Sequence, residues 1–420
     1  MSEIKPFAAL RYDPARVALS RVLAPPYDVI AAEDRAGMFD RDPHNAIRLE
    51  LTRDIAEQQS TDYAVIPRTL EEWIASGVLV RDSAPALYPL RQRFSAPDGA
   101  STVRDGFFAL LRLEDYGRRI VRPHERTLLG PKADRLKVLR AARANLSPVF
   151  LLYEDREQEL SPLLAGSLDA ERLVEADDAA GISARLARLE DPERVAALCD
   201  FFADRPLVIA DGHHRYETAL TYRNEALGRE GGGDGSDPSE WLLVYLANAF
   251  AKGSLLLPIH RLILAQGVPS QKAWQQRLPG WSERRIAVES AEAIPDLLAE
   301  HLAPLADRHA FAADDASGTL RIFSRPADGE LGIRVVHREV IAGVFGLDEA
   351  AVEAGGLDYP KSALQTAHDL RGGRGSVALY LNPLPADDVF RVTEAGDVLP
   401  QKSTFFFPKL PTGLLFRTFA

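Results

Sequence analysis

The sequence predicts an α+β protein with several domains. Its 420 residues suffice for two to four domains at roughly 100–200 residues each, and short apolar strands alternate irregularly with amphipathic helices. Hydrophobic residues form 46% of the chain, a fraction that favours a globular protein over extensive disorder. We expect an N-terminal α/β domain over residues 1–150, a second segment over 151–266, a small α/β module over 267–345, and a C-terminal segment over 346–420 that packs back on the core.

Charge and cysteine content exclude several classes of protein. With 50 Lys and Arg against 61 Asp and Glu, the formal net charge is −11, which argues against a nucleic-acid-binding surface because such surfaces need clustered cations. Cys199 is the only cysteine, so an internal disulfide and a thiolate-rich zinc site are both excluded. The first residues show no apolar signal segment, and the most apolar stretch, 241–251, is shorter than a membrane-spanning helix. We therefore expect a cytoplasmic protein without a membrane partner.

Periodicity predicts the individual elements. Residues 45–51 alternate apolar and charged side chains, which is typical of a strand with one wet face, and residues 61–77 have helical spacing up to Gly77. The remaining predicted strands are 86–94, 102–113, 149–153, 205–211, 241–249, 376–381 and 404–407, with a hairpin-like segment running through Gly396. Predicted helices cover 131–144 and 217–227, and a glycine-rich surface loop covers 228–240.

The most informative segment follows the predicted strand 205–211. Asp211, Gly212, His213, His214 and Arg215 stand in a row where a buried strand ends and a helix begins. Such a junction lets backbone N–H groups approach an anion, and the helix N-terminus adds about half a positive charge. Arg215 offers a planar fork for phosphate, and Asp211 could hold a metal ion or take a proton.

Two other interpretations of this turn remain open. In a purely structural one, Asp211 caps the helix, Gly212 makes the turn and the two histidines are satisfied polar groups. In a metallohydrolase, His213 and Glu217 would be ligands one helical turn apart, although neither zincin pattern is present because Thr218 follows Glu217.

Two further polar segments could complete an anion site. The first contains His124, Glu125 and Arg126, with Lys132 a few residues later, and it is either a solvated basic loop or an anion-facing wall with an acid or base. The second contains Lys402 and Ser403. No glycine-rich loop precedes it, so a Walker site is excluded, and an edge strand explains it equally well.

Several blocks together resemble a known family. They are 5–14, 24–30, 45–50, 124–127, 210–217, 258–261 and 401–404. These blocks resemble those of the bacterial and archaeal family called domain of unknown function 1015, over essentially the whole chain. Locally, residues 202–245 also resemble the ParB and sulfiredoxin superfamily, and within it the free serine kinases. This resemblance implies a ParB/sulfiredoxin-like mixed α/β core with additional α/β modules.

The kinase resemblance also implies roles for individual residues. Asp211 would contact metal or the substrate hydroxyl, and the four residues from Gly212 to Arg215 would hold nucleotide phosphates. The catalytic glutamate of those kinases corresponds to either Glu50 or Glu125, and the richer charged surroundings favour Glu125. Sulfiredoxin chemistry is excluded because it needs a cysteine where this chain has His213, and no helix-turn-helix supports a ParB-like function.

Together these observations predict a nucleotide-dependent phosphotransferase that acts on a small hydroxylated metabolite such as serine, with ATP or ADP and Mg²⁺ as cofactors. The candidate catalytic residues are Asp211, His124 and Glu125, with Asp211 also a metal ligand; the candidate phosphate-binding residues are Gly212, His213, His214, Arg215, Arg126, Lys132, Lys402 and Ser403. Two alternatives stay open: a non-catalytic nucleotide-binding switch, and a metal-dependent phosphatase or hydrolase.

Overall fold

The chain forms two compact units. The computed structural model describes residues 2–31, 34–51, 62–97, 99–125, 129–170, 173–177, 181–265 and 267–419. The first unit comprises Met1–Leu255, Val392–Val398 and Pro408–Ala420, and the second comprises Leu256–Arg391 and Leu399–Phe407. The sequence-based boundaries at residues 150, 266 and 345 stay predictions.

A large mixed sheet organises the first unit. Its strands and those beside it are β1 (Ile4–Lys5), β2 (Leu10–Tyr12), β3 (Leu79–Arg81), β4 (Tyr88–Ser95), β5 (Ser101–Arg112), β6 (Val121–Arg122), β7 (Ala144–Asn145), β8 (Val149–Tyr153), β9 (Val174–Asp177), β10 (Ser183–Leu186), β11 (Leu207–Asp211) and β12 (Trp241–Asn248). Over the described residues, nine of them pair in the order β6-β11-β8-β12-β5-β4-β10-β9, with β1 on β5. The pairs β11–β6 and β12–β8 are parallel, and the other pairs of this sheet are antiparallel.

The described part of the first unit also contains helices. They are α1 (Leu19–Val22), α2 (Asp34–Arg41), α3 (Ile47–Glu50), α4 (Val65–Ala75), α5 (Leu129–Ala142), α6 (Ser161–Ala170), α7 (Pro192–Phe202) and α8 (His213–Leu227), with short 3₁₀ turns at Tyr27–Val29, Tyr116–Arg118 and Pro238–Glu240. Helix α8 packs against α5. Every residue of β8, β11 and β12 is buried, which explains their continuous apolar sequences. Leu198 and Phe202 of α7 join the same core as Ile209 and Leu246.

The second unit has its own antiparallel sheet. Its strands are β13 (Leu255–Leu257), β14 (Arg261–Ile263), β15 (Ser282–Ala287), β16 (His309–Asp314), β17 (Thr319–Arg325), β18 (Leu357–Asp358), β19 (Val377–Leu381) and β20 (Phe405–Phe407). The sheet order is β15-β17-β16-β19-β14-β18, and β13 pairs with β20. The helices are α9 (Gln271–Arg277), α10 (Ile294–His301), α11 (Gly332–Val335), α12 (Glu349–Ala351) and α13 (Ala363–Arg371), with a 3₁₀ turn at Ala303–Leu305 and π-helical turns at Val336–Ala342 and Val352–Gly356. Helix α14 (Ala386–Glu394) begins in this unit, and its last three residues belong to the first unit.

The last described residues return to the first unit. Strand β21 (Arg417–Thr418) pairs with β7, and Phe416 exchanges two backbone hydrogen bonds with Leu10. The Arg417 guanidinium, which is buried, donates to the backbone oxygens of Trp241 and Pro238. This return brings the segment from Pro408 onward against the large sheet.

The mixed α and β architecture is confirmed, while two local predictions are wrong. Residues 45–51 contain the short helix α3 instead of a strand. The alternation of apolar and charged residues suggested a strand with one solvent-exposed face. In the structure, Glu50 is buried together with its neighbours Leu49 and Leu51, so the alternation does not mark an exposed face. The hairpin-like segment before Gly396 is helix α14, whose Val389, Phe390 and Thr393 have helical spacing and are buried. None of the helices in the described part of the chain has the length and apolar character needed to span a bilayer.

Candidate functional site

The predicted strand–turn–helix junction is present in the first unit. Asp211 ends β11, and α8 begins at His213. Gly212 between them has φ of 90°, a conformation that side chains other than glycine disfavour. A Cβ atom at Gly212 would also lie 2.9 Å from Nε of Arg215. The glycine therefore permits both the sharp turn and the close approach of the arginine.

Two cations meet at the Asp211 carboxylate. Arg215 donates from Nη2 to Oδ2 of Asp211 at 2.6 Å, and the ammonium of Lys409 pairs with Oδ1. The other terminal nitrogen of Arg215 donates to the backbone oxygen of Pro148. Its buried Nε has no hydrogen-bond partner among the described residues, so the guanidinium retains one unused donor beside the turn.

A pair of histidines lies next to this cluster. His124 is 1% exposed, and its Nδ1 lies against the backbone oxygen of Ile209. Because a carbonyl only accepts, Nδ1 carries a proton there, and Nε2 faces Oε1 of Glu125 at 3.3 Å. The backbone N–H of His124 donates to Nε2 of His213 at 3.3 Å. His213 therefore acts as an acceptor, and its proton is on Nδ1.

Burial lowers the pKa of two of these groups. Burial, together with the neighbouring His124, lowers the pKa of His213 to about 3, so His213 is neutral near pH 7. Burial also lowers the pKa of Lys409, while the carboxylates of Asp28 and Glu125 oppose that shift. The ammonium of Lys409 thus pairs with Asp211 and is also attracted by the charges of Asp28 and Glu125.

Arg215 also lines a small cavity with both polar and apolar walls. It has a volume of about 40 Å³, and its wall includes Glu50, Arg135, Ser147 and Arg215. Arg135 donates to Oε2 of Glu50 at 2.8 Å, whereas the buried Oε1 has no hydrogen-bond partner among the described residues. The volume suffices for two or three water molecules at roughly 10–15 Å³ each.

The structure brings together part of the predicted set. His124, Glu125, Asp211, Gly212 and His213 gather around the turn with Arg215, and His214 occupies the first turn of α8. The ammonium of Lys132 pairs with Glu217 in the next turn of α8.

The other predicted phosphate-binding residues lie elsewhere in the chain. Lys402 and Ser403 belong to the second unit, where Ser403 donates to the backbone oxygen of Pro400 at 2.6 Å; their part in a shared site stays a prediction. Arg126 lies outside the described residues.

Lys409 is the residue that sequence reasoning missed. It lies 198 positions from Asp211, so no local spacing connects the two. The only feature of the sequence that could have pointed to Lys409 is its position at the end of a segment that contains Lys402 and three consecutive phenylalanines. Within the described part of the chain, no group of three or more His, Cys, Asp or Glu side chains is arranged to hold a metal ion.

Fold and site together define a mixed α/β protein in which a strand–glycine–helix junction concentrates cations, carboxylates and buried histidines. The family described as "Protein of unknown function (DUF1015)" matches residues 4–309. The chain belongs to this family. The curated proteins contain no match.

Solved structures with some similarity include three proteins. A conserved hypothetical protein from Pyrococcus furiosus has 14% identity and a TM-score of 0.34, over 73% of this chain and 95% of the other. A free serine kinase variant in complex with ADP has 12% identity and a TM-score of 0.36, over 73% and 92%. SbnI from Staphylococcus aureus, with a C-terminal truncation, has 12% identity and a TM-score of 0.35, over 73% and 85%.

Proposed function

We propose that this protein is a nucleotide-dependent phosphotransferase that binds nucleotide phosphates at residues 211–215 and transfers a phosphoryl group to a small hydroxylated metabolite. The observation that carries the proposal is the meeting of Arg215 and Lys409 on Asp211 at the N-terminus of α8. Helix N-termini and arginine forks both favour phosphate oxygens. No other described part of the first unit combines these features.

The arrangement can accept an anion without rebuilding the turn. Arg215 has an unused Nε donor, and the N-terminus of α8 carries a partial positive charge from the helix dipole. A phosphate that binds there also competes with Asp211 for the two cations. This competition frees the Asp211 carboxylate for Mg²⁺ or for the proton of the acceptor hydroxyl.

Phosphoryl transfer depends mainly on positioning and on neutralisation of charge. Arg215 and Lys409 supply the positive charge, and Mg²⁺ bound with the nucleotide would supply more. The His124–Glu125 pair, with its nitrogen and oxygen 3.3 Å apart, is the acid–base candidate. Neutral His213 holds the backbone of His124 in place without adding charge to the site.

The first experiment measures binding and transfer separately. Thermal unfolding and calorimetric titration with ATP and ADP, each with and without Mg²⁺, detect the nucleotide because a ligand that binds only the folded state stabilises it. A substitution Arg215→Gln should weaken binding by about 1–3 kcal/mol, the usual worth of a charged hydrogen bond, or roughly 5- to 150-fold in Kd. Arg140→Gln, which removes a surface ion pair with Glu225, is the matched control.

Single-turnover assays then test transfer, with serine as the first acceptor because the kinase resemblance implies it. A phosphorylated acceptor formed by the unmodified protein and lost in Asp211→Asn supports the proposal. Nucleotide binding without any phosphorylated product from a panel of hydroxylated metabolites contradicts the transferase activity and favours a binding switch. Absence of nucleotide binding contradicts the whole proposal.

A further inference from the structure

A second buried cation lies close to the candidate site. Arg104 on β5 is 1% exposed. Its Nη2 donates to Oε1 of Gln92 at 2.5 Å and to the backbone oxygen of Pro408 at 2.6 Å. None of the hydrogen bonds found for this guanidinium in the described chain is made to a carboxylate.

A buried guanidinium without a carboxylate partner destabilises the folded protein. Burial lowers the pKa of Arg104, because a buried charge loses its hydration. The rings of Phe150 and Tyr245, with centroids 4.8 and 5.7 Å from the guanidinium carbon, offset part of that loss through cation–π attraction. Well-packed apolar side chains are often at least as stable in such a place, so the position of this arginine calls for an explanation beyond packing.

The sheet register connects Arg104 with the candidate site. Asp211 on β11 is the register partner of Phe150 on β8, and Phe150 is the partner of Tyr245 on β12. Arg104 reaches the rings of both Phe150 and Tyr245. A row of side chains therefore leads across the sheet from Asp211 to Arg104.

Residues Pro408 and Lys409 connect the two ends of this row. Arg104 binds the carbonyl of Pro408 at one end, and the ammonium of Lys409 reaches Asp211 at the other. The carbonyl of Pro408 belongs to the peptide group whose nitrogen is that of Lys409. Arg104 therefore restrains the backbone directly before the lysine.

We infer that Arg104 is a positioning residue that holds the Pro408–Lys409 peptide on the sheet and thereby places the lysine ammonium against Asp211. The consequence for phosphate binding rests on the proposed function, whereas the placement of Lys409 does not. Arg104 also lowers the pKa of Lys409, so the residue that anchors the peptide adds a third positive charge near Asp211, beside Arg215 and Lys409.

The placement is tested without any nucleotide. Amine acylation followed by mass spectrometry measures the modification rate of each lysine in the intact protein. Lys409 should react slowly in the unmodified protein and at least tenfold faster in Arg104→Met, because the gain in access of the released side chain outweighs the rise in its pKa when Arg104 is removed. Lys132, held by Glu217 on another helix, is the internal control and should keep its rate. An unchanged rate at Lys409 in folded Arg104→Met would overturn the inference.

Two milder substitutions keep the test usable if Arg104→Met fails to fold. Arg104→Lys retains the charge but reaches fewer acceptors, and Gln92→Leu removes one restraint on the guanidinium. Both should raise the Lys409 rate by a smaller factor, with Arg104→Lys the closer to the unmodified protein. Equal rates at Lys409 in both variants and the unmodified protein refute the positioning role.

Nucleotide affinity provides the second readout. If Arg104 acts through Lys409, the double variant Arg104→Lys/Lys409→Met should bind ATP no more weakly than Lys409→Met alone. If the losses of ATP affinity caused by Arg104→Lys and by Lys409→Met add up fully in the double variant, Arg104 does not act through Lys409. If no variant, nor the unmodified protein, binds ATP while the acylation rates change as expected, the phosphotransferase proposal fails and the positioning role stands.

Discussion

The buried ion pair between Glu50 and Arg135 should dominate the stability of its region. The two side chains are 6% and 5% exposed, and their charged atoms are 2.8 Å apart. Arg135 also donates to the backbone oxygen of Glu50 at 2.9 Å. At an effective dielectric constant of about 20, the attraction between such charges is about 6 kcal/mol before desolvation is counted.

The substitution Arg135→Met leaves the Glu50 carboxylate buried without its partner. Loss of one member of a buried pair costs about 3–5 kcal/mol, and we expect that decrease in the free energy of unfolding. Urea-induced unfolding followed by tryptophan fluorescence gives the value from the midpoint and slope of the transition. The double variant Arg135→Met/Glu50→Leu should recover most of the loss, because it buries no unpaired charge.

A control on the same helix makes the result decisive. Arg140→Met breaks a pair with Glu225 in which the side chains are 49% and 43% exposed, and exposed pairs contribute only about 0–1 kcal/mol. If Arg135→Met loses no more stability than Arg140→Met, the reasoning about the buried pair is refuted.

Three further predictions concern single positions. Gly212→Ala should lower the free energy of unfolding by at least about 1–2 kcal/mol because of its positive φ, and it should abolish nucleotide binding. Gly228→Ala is the control, because Gly228 also has a positive φ of 63° but its added Cβ would have open space around it. This variant should keep nucleotide binding in the same titration. Glu240→Ala should speed proteolytic cleavage at residues 231–235, because its carboxylate accepts the backbone N–H groups of Gly233 and Gly235; unchanged digestion would contradict this. Burial lowers the pKa of His260 from 6.5 to about 3. Between those pH values His260 is protonated in the unfolded chain and neutral in the folded protein. Each unit of falling pH in this range therefore lowers the free energy of unfolding by about 1.4 kcal/mol. Urea unfolding at pH 6 and pH 4.5 should therefore show a smaller pH dependence in His260→Gln, and equal slopes would disprove the assignment.

Local patterns were sufficient for much of the first unit. Strands β8, β11 and β12 were predictable because continuous apolar runs of that length fit buried strands. The junction at Asp211 was predictable because its glycine and polar residues follow such a run directly. Helix α3 was not, since four residues carry too little periodicity to separate a helical turn from a strand once Glu50 is buried with its apolar neighbours.

Contacts between residues far apart in the chain could not be predicted from local sequence patterns. Lys409 meets Asp211 only because the chain returns to the sheet after the second unit, and no pattern within a helix or strand encodes that return. Arg104 is a charged residue in a strand, between exposed Val103 and half-buried Asp105, and no local pattern marks it as buried. Its burial depends on Pro408 and Gln92, which come from other parts of the chain.

The discontinuous first unit has a consequence for the order of folding. Residues 256–391 and 399–407 belong to the second unit and come between the main portion of the first unit and the segment that carries Lys409. A contact across 198 positions requires closure of a very long loop, which slows its formation. The large sheet can form from Met1–Leu255 before that segment arrives. We therefore expect a folding intermediate with native strands in which Asp211 already pairs with Arg215 and the lysine is still absent. Candidate activity should then appear later in refolding than native secondary structure does.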